Sequence, residues 1–247
     1  MKNIIVLFAL AVLIMPGCKK SDNPNDPDGF YSRSVGASAN ELLSDARFKS
    51  LKIEIQYMTG YTLSSTTISH IQSFLSSLIN KPGGITVVTR EISPSSNTTM
   101  NINQVAEIEK ATRTVYSTGN EISLYILVTN GLYSDNNVIG AAYRNTSVVL
   151  FGKKIADNSG GIGQPGRAKL ESTVADHEFG HLLGLVDLGS NMQTGHKDGA
   201  HGNHCNNSNC LMYFQADTQD MPGILLTGNI PTLDANCLAD LRANGGR

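Results

Sequence analysis

The sequence predicts a mixed α/β (α+β) fold: a twisted sheet flanked by helices, a late helix carrying ionisable residues, and a small irregular C-terminal part ending in one helix. Three observations lead there. Strand-like and helix-like stretches alternate along the first two thirds of the chain. One stretch, residues 122–129, is almost continuously apolar, as expected of a strand buried on both faces in the middle of a sheet. The run His177-Glu178-Phe179-Gly180-His181 places two histidines four residues apart in a segment with helical periodicity.

The elements are expected in this order. Residues 41–48 form a short helix, and 51–58 alternate like a strand. Residues 66–78 have helical spacing, with Ile68, Ile71, Leu75, Leu78 and Ile79 on one side, and Asn80-Lys81-Pro82-Gly83-Gly84 stops them. Residues 85–92 are the next strand, 103–116 an amphipathic helix and 122–129 the central strand. Residues 138–143 and 147–151 are two further strands around Arg144-Asn145-Thr146. The Gly-rich stretch 152–166 is expected as a loop over a cleft, without the strand-to-helix arrangement that cradles phosphate. Residues 167–183 form the histidine helix, and 232–242 a last helix.

Composition narrows the function classes. The chain has 247 residues, 19 Lys+Arg and 21 Asp+Glu, giving a net charge of −2. It carries no basic stripe, so nucleic acid is not an expected partner. It has no Trp, which argues against an aromatic carbohydrate platform. No period of 20–50 residues marks a repeat architecture.

The chemistry lies in His177-Glu178-Phe179-Gly180-His181-Leu182-Leu183-Gly184-Leu185-Val186-Asp187, an H-E-x-x-H-x-x-G-x-x-D pattern. Four residues advance a helix by about 400°, so the two imidazoles share a face one turn apart. Both can then reach one zinc ion at about 2.0–2.1 Å. Glu178 projects beside the metal, where it can hold a water and take its proton. Gly184 lets the chain leave the helix sharply. That turn is expected to return Asp187 as the third metal ligand, leaving one position open for water.

The pattern resembles that of the metzincin metalloendopeptidases, which continue to a Met-turn. Cys210-Leu211-Met212-Tyr213-Phe214 is similar to the Met-turn of matrixin-like members. The resemblance implies a metzincin-like zincin fold and gives Met212 a supporting place beneath the metal. Tyr213 beside it is a candidate for lining the pocket. Asp in the third position is similar to the snapalysin-like members. His204-Cys205-Asn206-Asn207-Ser208-Asn209-Cys210-Leu211-Met212 resembles a segment of archaemetzincins in which that histidine is the third ligand. His204 is therefore the alternative to Asp187, although residues 188–203 are extra there; His196 and His201, in the same loop, are weaker rivals. Archaemetzincins also hold a second zinc with a later C-x-x-C pair, which this chain lacks. The activity implied is zinc-dependent endopeptidase cleavage of protein or peptide substrates, with Glu178 as general base. Residues 138–143 are the candidate edge strand for an extended substrate. A second zinc, or calcium in the Gly-rich loop, has no support in the sequence.

The N-terminus reads as an export signal. Met1-Lys2-Asn3 supplies a positive charge, and residues 4–15 are an apolar run too short to span a membrane. Met15-Pro16-Gly17-Cys18 resembles a bacterial lipobox, which implies cleavage after residue 17 and acylation of Cys18. The expected organisation is a signal at 1–17, a flexible tether at 18–40 and a catalytic domain at 41–247, divided near 184 into upper and lower parts. The protein is then expected at the cell envelope, anchored only through lipid, and monomeric. Export implies oxidising surroundings, so Cys205–Cys210 is the expected disulfide and Cys237 the odd thiol. Two other functions compete: a zinc-containing surface binding protein without turnover, and a zinc hydrolase acting on cell-wall cross-links.

Overall fold

A computed structural model describes residues 26, 29–217, 226 and 229–247. The export signal, the lipobox and Cys18 lie outside the described residues.

The central strand behaves as its composition requires. Strand β4 (Glu121–Thr129) is buried along nearly its whole length. It pairs in parallel with β1 (Ser50–Met58) on one side and β7 (Ser147–Phe151) on the other. Strand β2 (Ile85–Ile92) extends the sheet in parallel beyond β1, and β6 (Gly140–Arg144) closes the other edge antiparallel to β7. The order is β2-β1-β4-β7-β6. Strands β3 (Thr99–Met100) and β5 (Leu132–Tyr133) form a separate small pair.

Successive side chains of a strand point to opposite faces, and β4 sorts its residues accordingly. Leu124, Ile126 and Val128 join the large core under α2 (Ser65–Leu78) and α5 (Arg167–Leu182). Tyr125 and Leu127 join a second cluster with Val105 and Ile108 of α3 (Ile102–Thr112). Helices thus cover both faces of a mostly parallel sheet, as such sheets demand. The large core runs on from Leu42 and Leu43 of α1 (Ala39–Leu43) to Cys237 and Leu241 of α6 (Ala235–Ala243). The expected upper and lower parts therefore share one core.

Several expectations need correction. The helix foreseen at 41–48 ends at Leu43, because the buried Lys81 ammonium takes the carbonyls of Glu41, Ser44 and Phe48. The helix foreseen to 116 ends at Thr112. Beyond it the Glu54 carboxylate captures the N–H groups of Thr114 and Val115 at 3.0 and 2.8 Å. The tether does not reach 40. Asp26 accepts the Tyr31 N–H at 3.0 Å, and Tyr31 is buried beneath the Arg113 guanidinium, 4.3 Å from its ring. The Gly-rich stretch opens with a helix, α4 (Gly152–Asp157), whose Ile155 is buried. Gly152 starts it where a side chain would press on Tyr61 and Val128.

Candidate metal centre

The face of α5 that carries the histidines is buried on all sides: His177, Glu178 and His181 are 0, 2 and 8 % exposed. The Nε2 atoms of His177 and His181 stand 3.1 Å apart. The His177 Nδ1–H donates to the Leu211 carbonyl at 2.8 Å. A carbonyl only accepts, so this tautomer turns the Nε2 lone pair of His177 toward His181. Burial, with His177 and His204 nearby, pushes the imidazolium of His181 well below the ordinary histidine range. Two neutral imidazoles with converging nitrogens repel each other unless a proton or a cation lies between them.

The third imidazole brought to this pair is that of His204. Ligand nitrogens of His177, His181 and His204 all lie within 4.8 Å of one another. The His204 Nδ1–H donates to the His201 carbonyl at 2.6 Å, again leaving Nε2 as the donor to a metal. Asp187, expected there from its spacing, goes elsewhere. Gly184, Val186 and Asp187 all have positive φ (83°, 53° and 75°), so the chain curls away after the helix. The Asp187 carboxylate ends up 56 % exposed, paired with Lys197 at 3.1 Å. Position 187 turns outward because two non-glycine residues adopt the left-handed conformation, which a sequence pattern does not announce.

The donor set fits zinc. Three converging imidazoles, two with their tautomers fixed by carbonyls, could make a three-ligand site of the kind that leaves a position open. Beside them the Ala142 N–H of edge strand β6 donates to Glu178 Oε2 at 2.6 Å. Gly140 on the same strand brings β6 this close: a Cβ there would stand 2.5 Å from Val174 and 3.3 Å from Glu178 Oε1. Under the helix, a side chain at Gly180 would collide with the sulfur of Met212, which is fully buried. Tyr213 is half-buried, with its ring 4.7 Å from Phe214, and is not among the donors.

A second group of donors lies nearby. Ligand atoms of His196, Cys205, Asp234 and Cys237 also fall within 4.8 Å of one another. His196 Nε2 is 2.7 Å from the buried Asp240 carboxylate, and its Nδ1 is 3.4 Å from the Cys205 sulfur and 3.9 Å from that of Cys237. The Cys210 sulfur is 3.6 Å from that of Cys237. Cys205, Cys210 and Cys237 are buried free thiols, so the expected Cys205–Cys210 disulfide is not formed. Cys205 faces His196 and Asp234 instead, and Cys210 faces Cys237. Cys210 is drawn down to about 7 by the Cys237 thiol donating to it and by the N–H groups of Asp234 and Met212, while burial pushes Cys205 up to about 12. Sequence reasoning placed His196 only as a weaker rival for the first site and missed Asp234 and Asp240. The available signal was Asp234-Ala235-Asn236-Cys237, a carboxylate standing where a C-x-x-C pair would begin. Asp157 of the Gly-rich stretch pairs with Lys153 at 2.9 Å, and the donor clusters found among the described residues lie elsewhere.

No known family's sequence pattern matches this chain, and no curated protein matches it by sequence. Similarity appears in three dimensions. The fold is similar to that of archaemetzincin from Methanopyrus kandleri, with a TM-score of 0.54 at 15 % identity, over 80 % of this chain and 97 % of that one. It also aligns with metalloproteinase-II from Bacteroides fragilis, with a TM-score of 0.45 at 15 % identity, over 90 % of this chain and 58 % of that one. The first likeness defines the fold class: a mixed α/β domain of the archaemetzincin type.

Proposed function

We propose that the protein is a zinc-dependent endopeptidase, with zinc held by His177, His181 and His204 and with Glu178 as general base. The observation that carries this reading is the convergence of three imidazole nitrogens within 4.8 Å, beside a buried carboxylate on the same helix. Zinc at such a site supplies Lewis acidity toward water and toward a carbonyl oxygen. Glu178 takes the proton of the attacking water and, once protonated, gives it to the leaving amine. The Ala142 N–H holds Oε2 of Glu178, which fixes the carboxylate beside the histidines. Strand β6 is a sheet edge, and an extended peptide can add to it as a further strand. Met212 supports the helix from below, as a Met-turn residue would.

The second donor group supports a second zinc, held by His196 Nδ1 with Cys205, Asp234 and Cys237. The Asp234 carboxylate also caps α6, its Oδ1 accepting the Cys237 N–H at 2.9 Å. Asp240 orients His196 as carboxylates orient metal-bound histidines. We further propose lipid attachment through Cys18, a place at the cell envelope and a monomeric state, each resting on the sequence alone.

The test is cleavage of a diverse peptide mixture by the full chain, comparing wild type with Glu178→Ala, each with and without a chelator. Cuts in metal-loaded wild type only are expected, with Glu178→Ala retaining its zinc. Equal cleavage by Glu178→Ala would overturn the assignment. No cleavage by folded, zinc-loaded wild type would favour a binding protein, and cleavage of wall cross-links alone would move the substrate class.

A further inference from the structure

His204 comes to the helix histidines from a loop, whereas His177 and His181 come from a rigid helix. A ligand on a loop binds well only if the backbone beneath it is fixed. We propose that Asp198, His201 and Phe214 are positioning residues that clamp this backbone and so set the metal affinity of the three-histidine site. The proposal rests on the reading of that site as a metal centre.

The clamp is built in three layers. The innermost is a pair of hydrogen bonds across one turn: the His204 Nδ1–H donates to the His201 carbonyl at 2.6 Å, and the Asp198 N–H donates to the His204 carbonyl at 2.7 Å. Together they orient both the ring and the main chain of His204. The second layer fixes the turn itself. Asp198 Oδ1 accepts the Ala200 N–H at 2.8 Å, and its Oδ2 lies 2.7 Å from His201 Nδ1. The Ala200 N–H, and then the His201 ring, hold the Asp198 carboxyl below the usual carboxylate range, so it stays an acceptor at neutral pH.

The outermost layer joins the turn to the rest of the site. The His201 ring lies flat on Phe214, with centroids 3.7 Å apart and planes 6° from parallel. Phe214 follows Met212 and Tyr213, so the stack ties the loop to the segment that packs under Gly180. That segment also takes the chain just after His204, because the Cys205 N–H donates to the Met212 carbonyl at 2.7 Å. His204 is thus held between two attachments to one turn.

Neither loop residue is placed to stabilise the fold as a whole. The His201 side chain is 45 % exposed and that of Asp198 17 %, and exposed pairs of this kind contribute little to global stability. Their geometry serves orientation instead. His201 does not itself join the donors: its Nδ1 is committed to Asp198 and its ring to Phe214.

The experiment measures zinc affinity of the full chain by competition with a chromophoric chelator. The cobalt(II) absorption spectrum reports ligand geometry, and thermal unfolding of the zinc-free protein reports the fold. Phe214→Ala, Asp198→Ala and His201→Ala are expected to weaken zinc by about 10–100-fold, the range seen when outer partners of metal-bound histidines are removed. The cobalt bands should change, while unfolding of the zinc-free protein stays near wild type. His201→Phe keeps the stack and the carbonyl and should restore most of the affinity lost in His201→Ala. Affinities within twofold of wild type for Phe214→Ala and His201→Ala would overturn the clamp. So would a His201→Phe variant as weak as His201→Ala, or a zinc-free protein destabilised in step with its affinity. Wild type that binds no zinc would instead remove the metal centre, which separates failure of the site from failure of the clamp.

Discussion

The sulfur of Met212 occupies the space that a side chain at Gly180 would need. Helix α5 can therefore lie on the Met212 turn only because residue 180, between Glu178 and His181, has no side chain. Gly180→Ala would gain helix propensity in an isolated peptide, by up to about 1 kcal/mol. Here it is expected to destabilise the protein by about 1–3 kcal/mol, through overpacking against Met212. Met212→Ala is expected to cost about 2–5 kcal/mol by leaving a cavity under the same turn. Chemical denaturation of both variants and of the double variant checks this. The double variant should lose less than the sum of the two, because the collision and the cavity share one space.

How far this arrangement is legible in the sequence depends on what fixes each part. The histidine pair and Glu178 follow from helical spacing alone, and β4 from a run of apolar residues. The edge position of β6 also matches the expectation from residues 138–143. His204 was legible only as the alternative to Asp187, because residues 188–203 separate it from the helix, and the left-handed angles of Val186 and Asp187, which turn Asp187 outward, leave no compositional mark. The early ends of α1 and α3 depend on Lys81 and Glu54, which reach across tens of residues to capture backbone groups. The N-terminal segment resembles a polar tether in composition, yet Tyr31 docks on Arg113. The departures at α1, α3 and Tyr31 are long-range contacts overriding a local pattern.

The contact between α2 and α5 is expected to make stability depend on pH. His70 Nε2 lies 2.7 Å from the Asp176 carboxylate. That contact raises the His70 imidazole above its ordinary value of 6.5. A base with a raised folded-state pKa contributes stability that is fully present below its unfolded value and is lost as pH rises through the folded value. Asp176 acts in the same direction, since burial raises its carboxyl to about 6 and the folded state then holds a proton that the unfolded state releases. Unfolding free energy should therefore fall from mildly acidic pH to above neutral. His70→Gln should remove the part of that fall lying above about pH 6.5. A His70→Gln profile parallel to wild type across this window would contradict the assignment.

The sulfur-rich group predicts a stoichiometry. Protein purified with zinc and under reducing conditions is expected to carry two zinc ions per chain by elemental analysis. His196→Ala or Cys237→Ser should lower this to one and leave the three-histidine site loaded. The competing outcome is chemical. With a small-molecule disulfide as oxidant, Cys210 and Cys237 can each give up a proton and join as a disulfide, the oxidant being reduced to two thiols. Their 3.6 Å separation makes them the pair in contact. A Cys210–Cys237 disulfide that persists in zinc-loaded protein, seen by mass spectrometry, would replace the second metal with a covalent link.

The most direct measurement of the central claim is zinc affinity in Asp187→Asn and His204→Ala, set beside wild type under the same competing chelator. If His177, His181 and His204 hold the metal, His204→Ala should lose it by several orders of magnitude or altogether, while Asp187→Asn, whose carboxylate faces Lys197 and solvent, should stay within a few-fold of wild type. The reverse pattern, with zinc retained by His204→Ala and lost from Asp187→Asn, would contradict the three-histidine site.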